Sequence, residues 1–147
     1  MLLDRQLPDG GCNFGNTEVL GAVLRPHIQP TGLALVALAH AQDESGRVTR
    51  GCRYLERTIS ADTAIVSLSW AVLGLRAHLR RDPRWSDWIS TAYRRSHAHR
   101  PSPHKQALAA LALQSLASES FAPQSSSQPF FTPLAHSPPA NSRPSDV

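Results

Sequence analysis

Two kinds of helix-forming segment alternate along this 147-residue chain. One kind is apolar on most sides, and the other carries a single apolar stripe with arginines on the opposite side. Three stretches of the apolar kind align at offsets of 38 and 39 residues, namely Leu33–His40, Ala71–His78 and Ala110–Ala117. A self-similar spacing of this size indicates helix pairs that stack as repeats. We therefore predict an inner layer of apolar helices covered by an outer layer of amphipathic ones.

Five segments are predicted as helices: 31–40, 47–59, 62–80, 84–97 and 104–117. Asp62, Asp82 and Ser102 stand where three of these helices begin, and such side chains commonly accept hydrogen bonds from the first free N–H groups of a helix. No segment alternates apolar and polar residues as a strand does, so the predicted class is all-α.

A turn-forming run, QLPDGGCNFGN, occupies residues 6–16 and precedes the first apolar helix. The pair Gly10–Gly11 predicts a sharp return between packed helices, since a positive φ is adopted without strain by glycine alone. Gln6, Asp9, Gly10 and Gly11 also resemble the Gln-x-x-Asp-Gly-Gly-Trp repeat motif of the terpenoid cyclase and protein prenyltransferase superfamily. Cys12 takes the place of the tryptophan, and Phe14 is a partial substitute for its ring.

The resemblance extends from about Leu2 to Leu116 and implies an architecture. It implies α/α helix-pair repeats that form an open arc of an (α/α) toroid over residues 1–118, because a complete toroid of this family has about twelve helices in two rings. In such proteins the motif closes the turn after an outer helix and leads to the next inner helix. Its glutamine is expected to bond backbone groups at a helix end.

The catalytic motif that the family would supply is incomplete in this chain. Class II terpene cyclases protonate an alkene with a buried, activated carboxylic acid held in an Asp-x-Asp-Asp-Thr-Ala motif. Aligned on Asp62, the sequence places Ile59 at the first aspartate and Ala61 at the proton donor. Asp62 is thus the only remnant of the motif, and it has an ordinary interpretation as a helix cap.

The second chemistry of the superfamily, a zinc-activated thiolate, also lacks its ligands in the sequence. Cys12 and Cys52 show no CxxC spacing and no sign of secretion, which favours reduced thiols over a disulfide. His97, His99 and His104 are the nearest approach to a metal cluster, but histidines two residues apart point to different sides of a helix. No metal or cofactor is expected.

The net charge of +4 is concentrated in one segment. Residues 76–105 contain eight arginines or lysines against Asp82 and Asp87, which gives this segment +6. An anionic partner is one interpretation, and a solvated arginine-rich helix face is the other. Because neither an interleaving of aromatic and basic residues nor a known nucleic-acid motif accompanies the segment, no nucleic acid is expected.

The ends of the chain and its longest apolar run suggest a location. The run 32–39 is too short to span a bilayer, and the first residues lack the features of a secretory signal, so we expect a cytoplasmic chain without a transmembrane segment. From Ser118 onward the sequence contains six of the twelve prolines and eight serines. Residues 119–147 are therefore predicted as a disordered tail, with Phe130–Phe131 as a possible docking element.

Three functional hypotheses follow. The first is a truncated or degenerate member of the toroid superfamily without catalysis of its own. The second is a component of an isoprenoid cyclase or prenyltransferase completed by a partner chain, through homo- or hetero-oligomer contacts at the open edge of the toroid. The third is a non-catalytic helical-repeat scaffold that binds a partner.

Overall fold

A computed structural model describes residues 3–118 of the chain. Its five helices are α1 (Ile28–Ala37), α2 (Arg47–Thr58), α3 (Ile65–Ala77), α4 (Trp85–His99) and α5 (Pro103–Ala117). The predicted helical class is thus confirmed. The predicted tail, with Phe130–Phe131, lies outside the described residues.

A short antiparallel hairpin is the exception to the all-α prediction. Its strands are β1 (Glu18–Val19) and β2 (Ala22–Val23), with Glu18 opposite Val23 and Val19 opposite Ala22. The hairpin was not predicted because strands of two residues are too short for a period of two to be visible.

The predicted helix starts are partly wrong. Asp62 does not cap α3, which begins three residues later at Ile65. The preceding residues form a separate turn, in which the backbone N–H of Ser60 donates to the hydroxyl of Thr63 at 2.9 Å. Ser102 does precede α5 and Pro103 is the first helical residue, although the serine hydroxyl makes no capping bond.

Asp82 belongs to the loop before α4, which begins at Trp85. Its carboxylate accepts a hydrogen bond from the backbone N–H of Arg84 at 2.9 Å, and the guanidinium of the same arginine lies 2.6 Å away. The side-chain bond from Arg84 is the main reason why the pKa of Asp82 is lowered. Asp82 therefore stabilises the loop that leads into α4 rather than the first turn of the helix.

Helix α3 lies in the middle of the fold. It contacts α1 on one side and α5 on the other, while α2 packs on α1 and α3, and α4 packs on α3 and α5. Ten of its thirteen residues are buried, as predicted for this segment. Side chains from α2, α3 and α4 form the centre of the core, among them Leu55, Leu68, Val72, Leu75 and Ile89.

The carboxyl ends of α1, α3 and α5 lie close together, so these three helices run parallel. Nε2 of His78, just after α3, is 2.9 Å from the carbonyl oxygen of Leu35 near the end of α1. The guanidinium of Arg76 donates to the carbonyls of Ser115 and Ser118 at the end of α5, both at 2.9 Å. Polar side chains in and just after α3 thus contact backbone carbonyls near the carboxyl ends of both neighbouring helices.

Helix α3 itself ends in a Schellman motif. The N–H of Arg80 donates to the carbonyl of Leu75 at 2.9 Å, and the N–H of Leu79 donates to Arg76 at 3.0 Å. This motif requires a left-handed residue, which is usually glycine. Here Leu79 takes that position with φ of 60°, while its side chain is 62% exposed.

The two outer members of the parallel set, α1 and α5, each have one uncovered face in the described chain. Leu33 and Val36 of α1 are 37% and 36% exposed, and Leu111 of α5 is 52% exposed. The apolar character of these helices on most sides is therefore only partly used by packing within residues 3–118.

Candidate functional site

The residues of the predicted repeat motif meet in one corner, residues 6–12, which packs against α2. The side-chain amide of Gln6 donates to the carbonyl of Gly10 and to the carbonyl of Arg47, the first residue of α2, both at 2.7 Å. The carboxylate of Asp9 accepts a bond from the N–H of Gly11 at 3.1 Å. Gln6 thereby links the corner to a helix end, as the resemblance implies for this residue.

Both glycines of the corner are required by close approach to α2. Gly10 has φ of 97°, and a Cβ placed on it would lie 2.5 Å from the carbonyl oxygen of Arg50. A Cβ on Gly11 would lie 2.4 Å from Cβ of Pro26 and 3.0 Å from the ring of Tyr54. No larger residue fits either position without moving the backbone.

Cys12 joins the same corner to the start of α1. Its N–H donates to the hydroxyl of Thr31 at 2.8 Å, and its carbonyl accepts a bond from the N–H of His27 at 2.9 Å. Thr31 is only 1% exposed, and its hydroxyl also donates to the carbonyl of His27 at 2.7 Å. The corner therefore joins α2 to the first turn of α1. Thr31 was not predicted from the sequence as a residue of this site.

The corner offers no space for a substrate. The cavity between Gln6, Cys12, Thr31 and the neighbouring turns of α1 and α2 measures about 10 Å³, which is room for about one water molecule. Phe14, the possible substitute for the tryptophan of the motif, is 72% exposed and lies against the ring of His27 at 5.6 Å between ring centres. These contacts indicate a structural junction rather than a binding site.

Asp62, the remnant of the acid motif, lies on the surface of the protein. Its side chain is 95% exposed and 3.4 Å from the guanidinium of Arg95. Arg95 also donates to the backbone carbonyl of Asp62 at 3.1 Å, so it connects this turn to α4. Protonation of an alkene requires a carboxyl group that is shielded from water, and Asp62 has the opposite environment.

The two cysteines are free, and their environments do not favour an activated thiolate. Cys52 is 1% exposed on α2, and Cys12 is partly buried in the corner. Burial is the main cause that raises the pKa of both thiols, and the carboxylate of Asp9 adds to the effect at Cys12. A thiol with a raised pKa is a poor nucleophile and a poor metal ligand.

The histidines at the end of α4 do not form a metal site. Nδ1 of His97 is 3.2 Å from the hydroxyl of Tyr93, and His97, His99 and His104 are all exposed. Within residues 3–118, no group of three or more histidine, cysteine, aspartate or glutamate side chains is arranged to hold a metal ion.

The basic segment is divided between buried and exposed groups. Arg76 is 2% exposed and donates a hydrogen bond to the carbonyl of Ser115 in α5. The sequence did not predict this role, because the arginines of this segment were expected on a solvated helix face. Arg80, Arg84 and Arg95 are ion-paired with Glu56, Asp82 and Asp62. On α4, Arg94 and Arg95 are exposed.

One open groove of about 280 Å³ lies between α4 and α5. Its walls are Ser90, Tyr93 and Arg94 on α4 and Gln106, Ala109, Ala110 and Leu113 on α5. The lining combines apolar side chains with the polar groups of Ser90, Tyr93 and Gln106 and one guanidinium, that of Arg94. The arrangement can bind an apolar surface that carries an anionic group, and it has no acid, base or nucleophile pair for catalysis.

Within the described residues, no helix has the length and apolarity needed to cross a bilayer. Comparisons with protein-family models, curated protein sequences and solved structures found no match to this chain.

Proposed function

We propose that this protein is a non-catalytic helical-repeat scaffold of the (α/α)-toroid type, a degenerate relative of the terpenoid cyclases and protein prenyltransferases. It uses the uncovered faces of α1 and α5 to bind another chain. The observation that carries this proposal is the parallel set α1, α3 and α5, in which α3 is covered on both sides and the two outer helices are not.

The packing of the helices supports the toroid type. The apolar helices α1, α3 and α5 are neighbours, and the amphipathic α2 and α4 each pack across a pair of them. The corner supports the same interpretation, because Gln6 donates to the first residue of α2 while Cys12 bonds to the start of α1. This is the position that the repeat motif takes between an outer and an inner helix.

The chemistry of the site supports the loss of catalysis. Ala61 has no ionisable group at the position of the proton donor, and the carboxylate of Asp62 is 95% exposed. The thiols of Cys12 and Cys52 have raised pKa values, so they are poor candidates for a zinc-activated nucleophile.

Uncovered apolar helix faces support a binding role. Apolar side chains that remain accessible on a small protein tend to mark the place of a partner. The exposed side chains lie on helices whose other faces are buried against α3, namely Leu33 and Val36 on α1 and Leu111 on α5. The same faces would suit the alternative function, a component of an isoprenoid cyclase or prenyltransferase that a partner chain completes.

A turnover assay tests the absence of catalysis. The purified chain is incubated with squalene, and with geranylgeranyl diphosphate in the presence of a cysteine-containing acceptor peptide, and products are measured by mass spectrometry beside an active class II cyclase as a positive control. We expect no product from this chain alone. Cyclised or prenylated product above the level of a heat-denatured sample would refute the proposal, and product that forms only after a second chain is added would favour the alternative.

A further inference from the structure

The groove between α4 and α5 has a geometry that suits the binding of a helix. On α4 its residues are spaced by three and one, and on α5 by three, one and three, so each wall is a single helical stripe. The α5 wall includes two small side chains, Ala109 and Ala110, which allow a backbone to approach closely.

Elsewhere in the fold, amphipathic helices cover the apolar ones. Helix α4 packs on α3 and α5, as α2 packs on α1 and α3. A helix in the α4–α5 groove would cover α5 in a similar way, with its apolar face on α5 and its polar face toward solvent.

The charge of this edge determines the kind of helix. Between Asp87 and Glu119 the chain has no acidic residue, and it has four basic ones, Arg94, Arg95, Arg100 and Lys105. Of these, Arg95 is paired with Asp62, whereas Arg94 lines the groove and, within residues 3–118, donates a side-chain hydrogen bond to the hydroxyl of Thr91 at 3.3 Å. An occupant with carboxylates along its rim would match these charges.

A second copy of this chain is a poor match for the groove. The exposed side of its amphipathic helix α2 carries Arg50, Arg53 and Arg57, which would face Arg94 and Lys105 with like charge. Like charges placed across an interface are unfavourable.

We propose that the α4–α5 groove binds an acidic amphipathic helix of another protein. The proposal rests on the binding function proposed above and adds the place and the chemistry of the partner. The apolar face of that helix packs on Ala109, Ala110 and Leu113, and its acidic residues lie toward Arg94.

A binding titration with a designed probe tests this. The probe is a fluorescein-labelled peptide of about 18 residues, long enough to form a helix, with leucines and alanines on one face and glutamates on the other. The comparison peptide has lysine at each glutamate. Binding to the full chain is followed by fluorescence anisotropy, and a double-stranded DNA of similar length serves as a competing polyanion.

We expect saturable binding of the glutamate peptide that weakens as salt rises from about 50 to about 300 mM. Arg94→Glu should weaken it by about tenfold through charge, and Ala110→Phe by about tenfold by filling the groove. The matched control is Arg53→Glu, which makes the same charge change on the exposed side of α2 and should alter binding by less than about twofold.

The proposal is overturned if the glutamate peptide shows no saturable binding, if the lysine peptide binds equally well, or if Arg53→Glu weakens binding as much as Arg94→Glu. It is also overturned if DNA displaces the peptide and binds more tightly, because the edge would then be a nucleic-acid surface. Circular dichroism of each variant checks that the fold is intact. The turnover assay is independent of these results, so failure of the groove and failure of the proposed function can be distinguished.

Discussion

The two sides of α3 are held by different physical means. Toward α1 the contact is made by backbone, because a Cβ on Gly32 would lie 2.5 Å from the carbonyl oxygen of Trp70, and one on Gly74 would lie 2.7 Å from that of Gly32. Toward α5 the contact includes a buried cation, Arg76, which donates to two carbonyls. The α1 side depends on shape, whereas the α5 side depends on a charged hydrogen bond.

This difference suggests that the α1 side and the α5 side of the helix array offer different surfaces to a partner. The α1 side is closed to within van der Waals contact and is linked through Thr31 to the corner. Both outer helices keep an uncovered face, and α5 in addition borders the groove that it shares with α4.

Replacement of Gly32 by alanine should have the largest effect. The new Cβ would collide with the backbone of Trp70, which cannot rotate away as a side chain could. We expect the free energy of unfolding to fall by about 3 kcal/mol, measured by urea denaturation. Gly15→Ala is the matched control, since nothing lies within 4 Å of a Cβ there. Equal stability of the two variants would mean that the close approach of α1 and α3 is wrong.

Loss of the buried cation should have an intermediate effect. Arg76→Met keeps much of the buried volume but leaves the carbonyls of Ser115 and Ser118 without this donor. We expect a loss of about 2 kcal/mol in the free energy of unfolding. Hydrogen exchange should accelerate in α5 before it does in α1. Arg81→Met removes an exposed arginine nearby and should change stability by less than about 0.5 kcal/mol. Uniform acceleration in both helices would argue against a separate role for the α5 side.

The smallest expected effect is a gain. Leu79→Gly relieves the left-handed strain at the end of α3, while the higher conformational entropy of glycine in the unfolded chain opposes folding, and the net increase in the free energy of unfolding should be about 0.5 kcal/mol. The exposed side chain of Leu79 contributes little packing that could be lost. Leu79→Ala is the control, because alanine retains the Cβ that causes the strain. A gain from alanine as well would indicate that the leucine side chain, and not its backbone angle, is unfavourable.

Much of the fold could be predicted from the sequence, because α2 and α4 carry an apolar stripe at helical spacing, the other three helices are apolar on most sides, and the Gly10–Gly11 pair marks a turn. The contacts between elements could not. Gly32 and Gly74 lie inside strongly apolar helices, where the only signal is the presence of a glycine that helix propensity disfavours. The burial of Arg76 was hidden among seven other basic residues of the segment 76–105.

The candidate site was predicted only in part. The residues 6–12 were identified from their spacing, but their partners, the carbonyl of Arg47 and the hydroxyl of Thr31, are 41 and 19 residues away from Gln6 and Cys12. The cap assigned to Asp62 was wrong because the local turn of Ser60 and Thr63 delays the start of α3. The groove arises from two helices together and has no signature in either one.

The bond from Arg76 to the carbonyl of Ser118 has a mechanical consequence. Tension applied to the chain beyond Ser118, by a tethered cargo or by a pulling protease, would not simply peel away the last turn of α5. The force would be transmitted through the guanidinium of Arg76 to α3, the most deeply buried of the described helices. Resistance to extraction from the carboxyl end would then depend on a residue about forty positions upstream.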